Sequence, residues 1–236
     1  MGQMQKLRIT WYGHSTFLLQ TPGDRQVLFD PWFTDNPACP AALKKPPKAD
    51  LVLVSHGHAD HAGDLLAVAR DSGAPIVGIF ELCDWLRRKG VASVSPMNKG
   101  GSQMVAGLLV VMTDARHSSS CLEGGQMVYL GEPAGYVIRL EDGATIYFAG
   151  DTALFGDMRL IGELYRPDIA FLPIGDRFTM GPAAAAKACE LLGVRQAVPM
   201  HWGTFPMLTG TPGEFRRLVA PTGVQVLDLR PGETSE

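Results

Sequence analysis

The sequence predicts an α/β fold of the αββα sandwich kind, with two mixed β-sheets packed face to face and helices covering their outer surfaces. Three observations carry this expectation. Short continuous apolar runs, Leu51-Val52-Leu53-Val54 and Ile169–Leu172, have the length and composition of strands buried on both faces. Each half of the chain opens with β-rich sequence and passes into β-α alternation, without a repeat of fixed period. No Ser/Gly-rich linker divides the 236 residues, so one domain over residues 1–236 is the simplest organisation.

In order along the chain, Leu7 to Gln20 is rich in β-formers and aromatics and is interrupted at Gly13. Thr21-Pro22-Gly23-Asp24 marks a turn before a strand from Gln26 to Asp30, which Asp30-Pro31 stops. A Pro-rich loop runs to Pro47, and the strand Leu51–Val54 follows it. Asp64–Arg70 reads as helix, Ile76–Phe80 as strand, and Leu82–Lys89 as a helix ended by Gly90. Leu108–Met112, Gly135–Leu140 and Thr145–Ala149 are strands, the last two joined by a hairpin at Glu141-Asp142-Gly143. Met158–Tyr165 is helical and Ile169–Leu172 is a buried strand. Pro182 opens an alanine-rich helix to Leu192, with Gly193 at its C-terminal end. Ala197–Met200 is a strand, and a helix near Gly213–Val219 and a strand at Val224–Leu229 close the order.

Composition narrows the function classes. The chain is 46% hydrophobic and 19% charged, as soluble globular proteins are. Its net charge of −3 argues against a broad phosphate-binding surface. Cys39, Cys83, Cys121 and Cys189 form no C-x-x-C pair, so reduced thiols are expected rather than a zinc thiolate site or disulfide framework. The opening MGQMQKLRIT lacks the apolar core of a signal peptide, and no stretch reaches the ~18–20 apolar residues needed to cross a bilayer. A cytoplasmic protein without a membrane span is expected, and its oligomeric state is open, a homo-oligomer included.

The chemistry concentrates in Ser55-His56-Gly57-His58-Ala59-Asp60-His61, directly after a buried strand. Three of the six histidines stand here. Imidazole and carboxylate are ligands that zinc, iron and manganese accept. His56 and His58 can project to one side of an extended chain. Asp60 and His61 fall where the chain turns into a helix and can face a second metal nearby. Gly57 and Ala59 are small enough for the backbone to wrap closely around ions. A merely histidine-rich surface loop is the competing reading. Further ligands should also stand at strand ends, and His117, Asp151 and His201 each follow a strand.

The ordered set H-x-H-x-D-H, a single His, Gly-Asp-Thr and a late His resembles the metallo-β-lactamase superfamily. Gly13-His14-Ser15, Asp30-Pro31, Pro96-Met97-Asn98-Lys99-Gly100-Gly101, Arg116-His117-Ser118-Ser119 and Pro199-Met200-His201 resemble one branch of it. That branch comprises metal-dependent hydrolases related to the ascorbate-phosphate lactonases and the N-acyl-phosphatidylethanolamine phospholipase D enzymes. The likeness spans roughly residues 7–230, and after His201 the chain reads Trp202-Gly203 where the relatives favour Tyr-Asn. The resemblance implies two divalent metal ions, zinc first and manganese or iron as alternatives. It implies His56, His58 and His117 at the first, Asp60, His61 and His201 at the second, and Asp151 bridging. A bridging hydroxide would be the nucleophile, with Asp60 orienting it. Asp30 either accepts a hydrogen bond from a ligand imidazole or simply terminates its strand. His14 is either a core histidine or a catalytic group within one shell of the metals. Lys99, Arg116 and Arg177 either bind an anionic group or are solvated surface.

The expected function is metal-dependent hydrolysis of an ester-like bond, a lactone, thioester or phosphodiester, in a small molecule, with no nucleic-acid partner. The alternatives are a nucleic-acid phosphodiesterase, which the acidic balance disfavours, and a non-catalytic metal-binding regulatory protein. β-Lactamase activity is not expected of a chain without an export signal.

Overall fold

The computed structural model describes residues 6–235; Met1–Gln5, where the reading for a signal peptide begins, and Glu236 lie outside the described residues. The first sheet has six strands in chain order: β1 (Arg8–Trp11), β2 (Phe17–Gln20), β3 (Gln26–Phe29), β4 (Leu51–Leu53), β5 (Ile76–Ile79) and β6 (Val94–Met97). Tight turns join β1, β2 and β3 into an antiparallel meander. From β3 onward the pairing is parallel, because long crossovers, a Pro-rich loop between β3 and β4 and helical segments after β4 and β5, return the chain to the same sheet end. Helices α1 (Ala59–Ala62), α2 (Leu65–Ser72) and α3 (Phe80–Arg88) lie in those crossovers, and α3 packs on β5 and β6.

The second half repeats the logic. β7 (Ser102–Val105) and β8 (Leu108–Asp114) form a hairpin, and β9 (Ser120–Glu123) with β10 (Gln126–Tyr129) forms a separate one. β11 (Ala134–Arg139) pairs antiparallel with β8 and with β12 (Thr145–Phe148). β13 (Ile169–Pro173), β14 (Gln196–Met200) and β15 (Gln225–Val226) then add in parallel, giving the order β15-β14-β13-β12-β11-β8-β7. Helices α4 (Met158–Tyr165), α5 (Pro182–Leu192) and α6 (Pro212–Val219) follow β12, β13 and β14. The two mixed sheets flanked by helices are those the sequence predicted.

The sheets meet through aromatic side chains. Phe29 stacks on Phe148 with ring centroids 4.4 Å apart, and Phe17 meets Phe171 edge-on at 4.9 Å. The Tyr136 hydroxyl donates to the Val54 carbonyl at 2.7 Å, so a buried polar tip is satisfied across the same interface. β4, β5 and β12 are buried along their whole length, which explains their largely apolar sequence.

Four strands were not anticipated. β6 contains Pro96 and is an edge strand, where a missing donor is tolerated. β7, β9 and β10 are short and largely polar or exposed. The expected strand Val224–Leu229 shortens to Gln225–Val226. The four cysteines are free, and no helix among the described residues is long and apolar enough to cross a membrane.

Candidate metal centre

Every expected metal ligand lies in the segment that follows a strand. His56 and His58 follow β4, Asp60 and His61 lie on α1, His117 follows β8, Asp151 follows β12 and His201 follows β14. Two close approaches bring these segments together. Gly150 has φ +61°, and a Cβ there would lie 2.7 Å from Ser55 Cβ, so glycine lets the Asp151 turn press against the His56 strand end. The His201 N–H donates to the His14 carbonyl at 3.0 Å, joining the late loop to the first turn. A Cβ at Gly57 would meet Leu130 at 2.5 Å, so its smallness serves packing against that side chain.

His56 Nε2, His58 and His117 present nitrogens within 4.8 Å of one another, and so do His14, His61 and His201 with the Asp60 carboxylate. Asp151 Oδ2 lies between the two groups, 3.0 Å from His201 Nε2, 3.2 Å from His61 Nε2 and 3.6 Å from His117 Nε2. His56 Nε2 approaches His58 Nδ1 to 2.9 Å.

Hydrogen bonds behind the cluster fix which nitrogens face inward. Asp30, fully buried, accepts from the Ser55 N–H and hydroxyl, each at 2.7 Å, and from His61 Nδ1 at 2.7 Å. The Ser55 hydroxyl spends its proton on Asp30, so its oxygen accepts from His56 Nδ1 at 2.9 Å. Both histidines are thereby held with Nε2 turned to the centre. His61 Nε2 and Asp151 Oδ1 are buried without a hydrogen-bond partner among the described residues. Orphaned buried acceptors between imidazoles and carboxylates are what a divalent cation would satisfy, and the donor set fits zinc, manganese or iron.

The electrostatics agree. Burial pushes the His56 imidazole far below its ordinary range, with the neighbouring His61 adding to the effect, and burial also lowers His58 and His117, so these rings stay neutral. Burial opposes the charge on Asp151, but His201 and His61 hold it well below the usual carboxylate range. Burial acts the same way on Asp60, and His61 with His14 brings it down. Burial alone would lower His61, yet Asp151, Asp60 and Asp30 lift it well above the histidine range. The cause of that lift is the set of carboxylates gathered around the ring.

His14 is fully buried on the cavity side of the sheet. Its Nε2 is 3.2 Å from Asp60 Oδ2, and its Nδ1 is 2.9 Å from the Thr204 hydroxyl. Burial and the nearby His201 lower it to about 4, so it is neutral near pH 7 and donates from Nε2 to Asp60. Its ring lies 3.9 Å from that of His201, and Trp32 and Phe205 close its other sides. His14, Asp30 and His201 all hold positive φ (+56°, +43°, +56°), backbone strain gathered in one place. Of the three cations singled out in the sequence, Lys99 is spent on Asp114 and Glu132, at 2.6 and 2.8 Å. Arg116 lies over Phe155 and Arg177 over Phe178. Ser55 and Thr204 support the cluster without having been assigned a role from sequence. Ser55 adjoins the motif and could have been noticed there, whereas Thr204 carries no local signal.

Comparison with known proteins fits this geometry. The profile of the "Beta-lactamase superfamily domain" matches residues 25–202. A "UPF0173 metal-dependent hydrolase" of Rubrobacter xylanophilus is 51% identical over 229 residues, covering 96% of this chain and 95% of its own. A second, from Koribacter versatilis, is 48% identical over 231 residues, covering 98% of each. Among solved structures, Igni18, a metallo hydrolase from the archaeon Ignicoccus hospitalis, superposes with a TM-score of 0.86 at 38% identity and covers 97% of both chains. The chain belongs to the beta-lactamase superfamily and, within it, to the family of UPF0173 metal-dependent hydrolases.

Proposed function

We propose that this chain is a dinuclear metal-dependent hydrolase that cleaves an ester-like bond, a lactone, a thioester or a phosphodiester, in a small molecule. The observation that carries the reading is the position of Asp151 Oδ2, within 3.6 Å of an imidazole from each of two nitrogen clusters. His56, His58 and His117 would hold one ion, Asp60, His61 and His201 the other, and Asp151 would touch both. Divalent ions in such a site, zinc first and manganese or iron with the same donors, polarise the scissile oxygen and lower the pKa of water towards about 7.

The chain's own groups do the rest. Asp60 is the catalytic carboxylate: its side chain is 29% exposed while Asp151 is 2% exposed, so it is the one that solvent and substrate reach. Ionised at neutral pH, it would accept a hydrogen bond from the attacking water or hydroxide and orient it. His14 is a positioning residue that donates to Asp60 and, through Thr204, is held in the tautomer that can do so.

The test is an activity screen of the zinc- and manganese-loaded protein over lactones, thioesters and phosphodiesters, run beside Asp60→Asn. Turnover of one class, lowered on the order of a hundredfold to ten-thousandfold in the metal-loaded variant at a little-changed melting temperature, is the expected result. Near-wild-type kcat in the loaded variant removes Asp60 from the mechanism.

A further inference from the structure

Beside His117 the surface sinks into a pocket of about 410 Å³, within the size range of small-molecule sites. Its walls include His117, Ser118, Ser120, Met127, Tyr129 and Pro133. His117 belongs both to this lining and to the first imidazole cluster, and the Ser118 hydroxyl is 3.5 Å from His58 Nε2, so the pocket adjoins that cluster.

The apolar wall is the β9–β10 hairpin. Its register pairs Cys121 with Val128 and Leu122 with Met127, which puts the two pairs on opposite faces. Cys121 and Val128 pack on the core. At the tip, Glu123 accepts from Trp85 Nε1 on α3 at 3.0 Å and pairs with Lys89 at the C-terminal end of that helix, so the hairpin is pinned. The opposite face turns Met127 and Tyr129 to solvent, 73% and 65% exposed, and both line the pocket. Such exposure costs hydration free energy that a bound apolar group would recover.

The charge around the pocket selects against anions. No lysine or arginine lines it. The one carboxylate in its lining, Glu132, is already bonded by Lys99, which also bonds Asp114.

We infer that this pocket, resting on the hydrolase reading above, is a specificity subsite for an uncharged apolar group of the substrate, an aromatic ring or short acyl chain, with Met127 and Tyr129 as its selecting residues.

Hydroxamates of graded tail test this without turnover, because the head group chelates the ions while the tail explores the walls. Zinc content is fixed first by elemental analysis, and Kd is then measured by calorimetry for acetohydroxamate, hexanohydroxamate and phenylacetohydroxamate. In the wild type the longer probes should bind at least about tenfold tighter than acetohydroxamate. The double variant Met127→Thr/Tyr129→Thr, exposed and therefore expected to fold, should cut that advantage below about threefold and leave acetohydroxamate unchanged. Leu122→Thr, on the same face but outside the lining, should retain the full advantage. A tail advantage that survives the double variant, or is absent from the wild type, overturns the subsite. A zinc-loaded chain that binds no hydroxamate contradicts the open hydrolytic site itself, and the subsite falls with it.

Discussion

Asp30 is where the two imidazole clusters converge. Its carboxylate orients His61 directly and His56 through Ser55, so one buried side chain sets the tautomers of a nitrogen donor in each cluster. Burial raises its pKa, and the bonds from His61 and Ser55 oppose the rise. Asp30→Asn keeps the volume but turns an N–H group toward donors that need an acceptor. Metal affinity should fall about tenfold to a hundredfold, read by competition with a chelator, and an affinity within twofold of wild type would contradict this role. Sequence allowed two readings of Asp30, a strand terminator and a hydrogen-bond acceptor, and both hold: β3 ends at Phe29, and the next side chain turns to His61. The seven histidines and aspartates proposed as ligands were legible because four lie within one short motif and the rest follow strong strands. The contact of His14 with Thr204 was not, since it spans 190 residues and leaves no local mark. His14→Ala should retain its ions by elemental analysis while turnover drops on the order of tenfold to a hundredfold, the usual cost of losing a supporting partner. Loss of an ion would make His14 a ligand instead.

At the scale of elements, the strands that deliver the site are also those that hold the sheets together. Phe29 is fully buried between Phe148 and Phe171 and is the last residue before Asp30. Phe29→Ala should cost about 3–5 kcal/mol, measured as a shift in urea midpoint, because a rigid inter-sheet core cannot close over the void. A loss under about 1 kcal/mol would mean that the sheets repack freely. The buried strands were legible from their apolar runs and the helices Met158–Tyr165 and Pro182–Leu192 from their period and caps. The β9–β10 hairpin was passed over because its outer face is apolar where a surface hairpin is usually polar, which breaks the expected alternation. Its Gly124-Gly125 turn, with φ +57° and +79°, was the available signal.

Over the whole molecule, two halves of like design each run an antiparallel β-meander or hairpin array into parallel strands and place their loops at one shared edge. The first half contributes His14, Asp30 and the His56–His61 segment, and the second His117, Asp151 and His201. Neither half can assemble the centre alone: Asp151 must meet His61 across the sandwich, and the His201 backbone must meet His14. The central claim is that this junction holds two ions that share Asp151. Elemental analysis of the wild-type chain, saturated with zinc or manganese and freed of excess by gel filtration, tests it most directly. Two ions per chain is the predicted result, and a plateau at one ion per chain would contradict it.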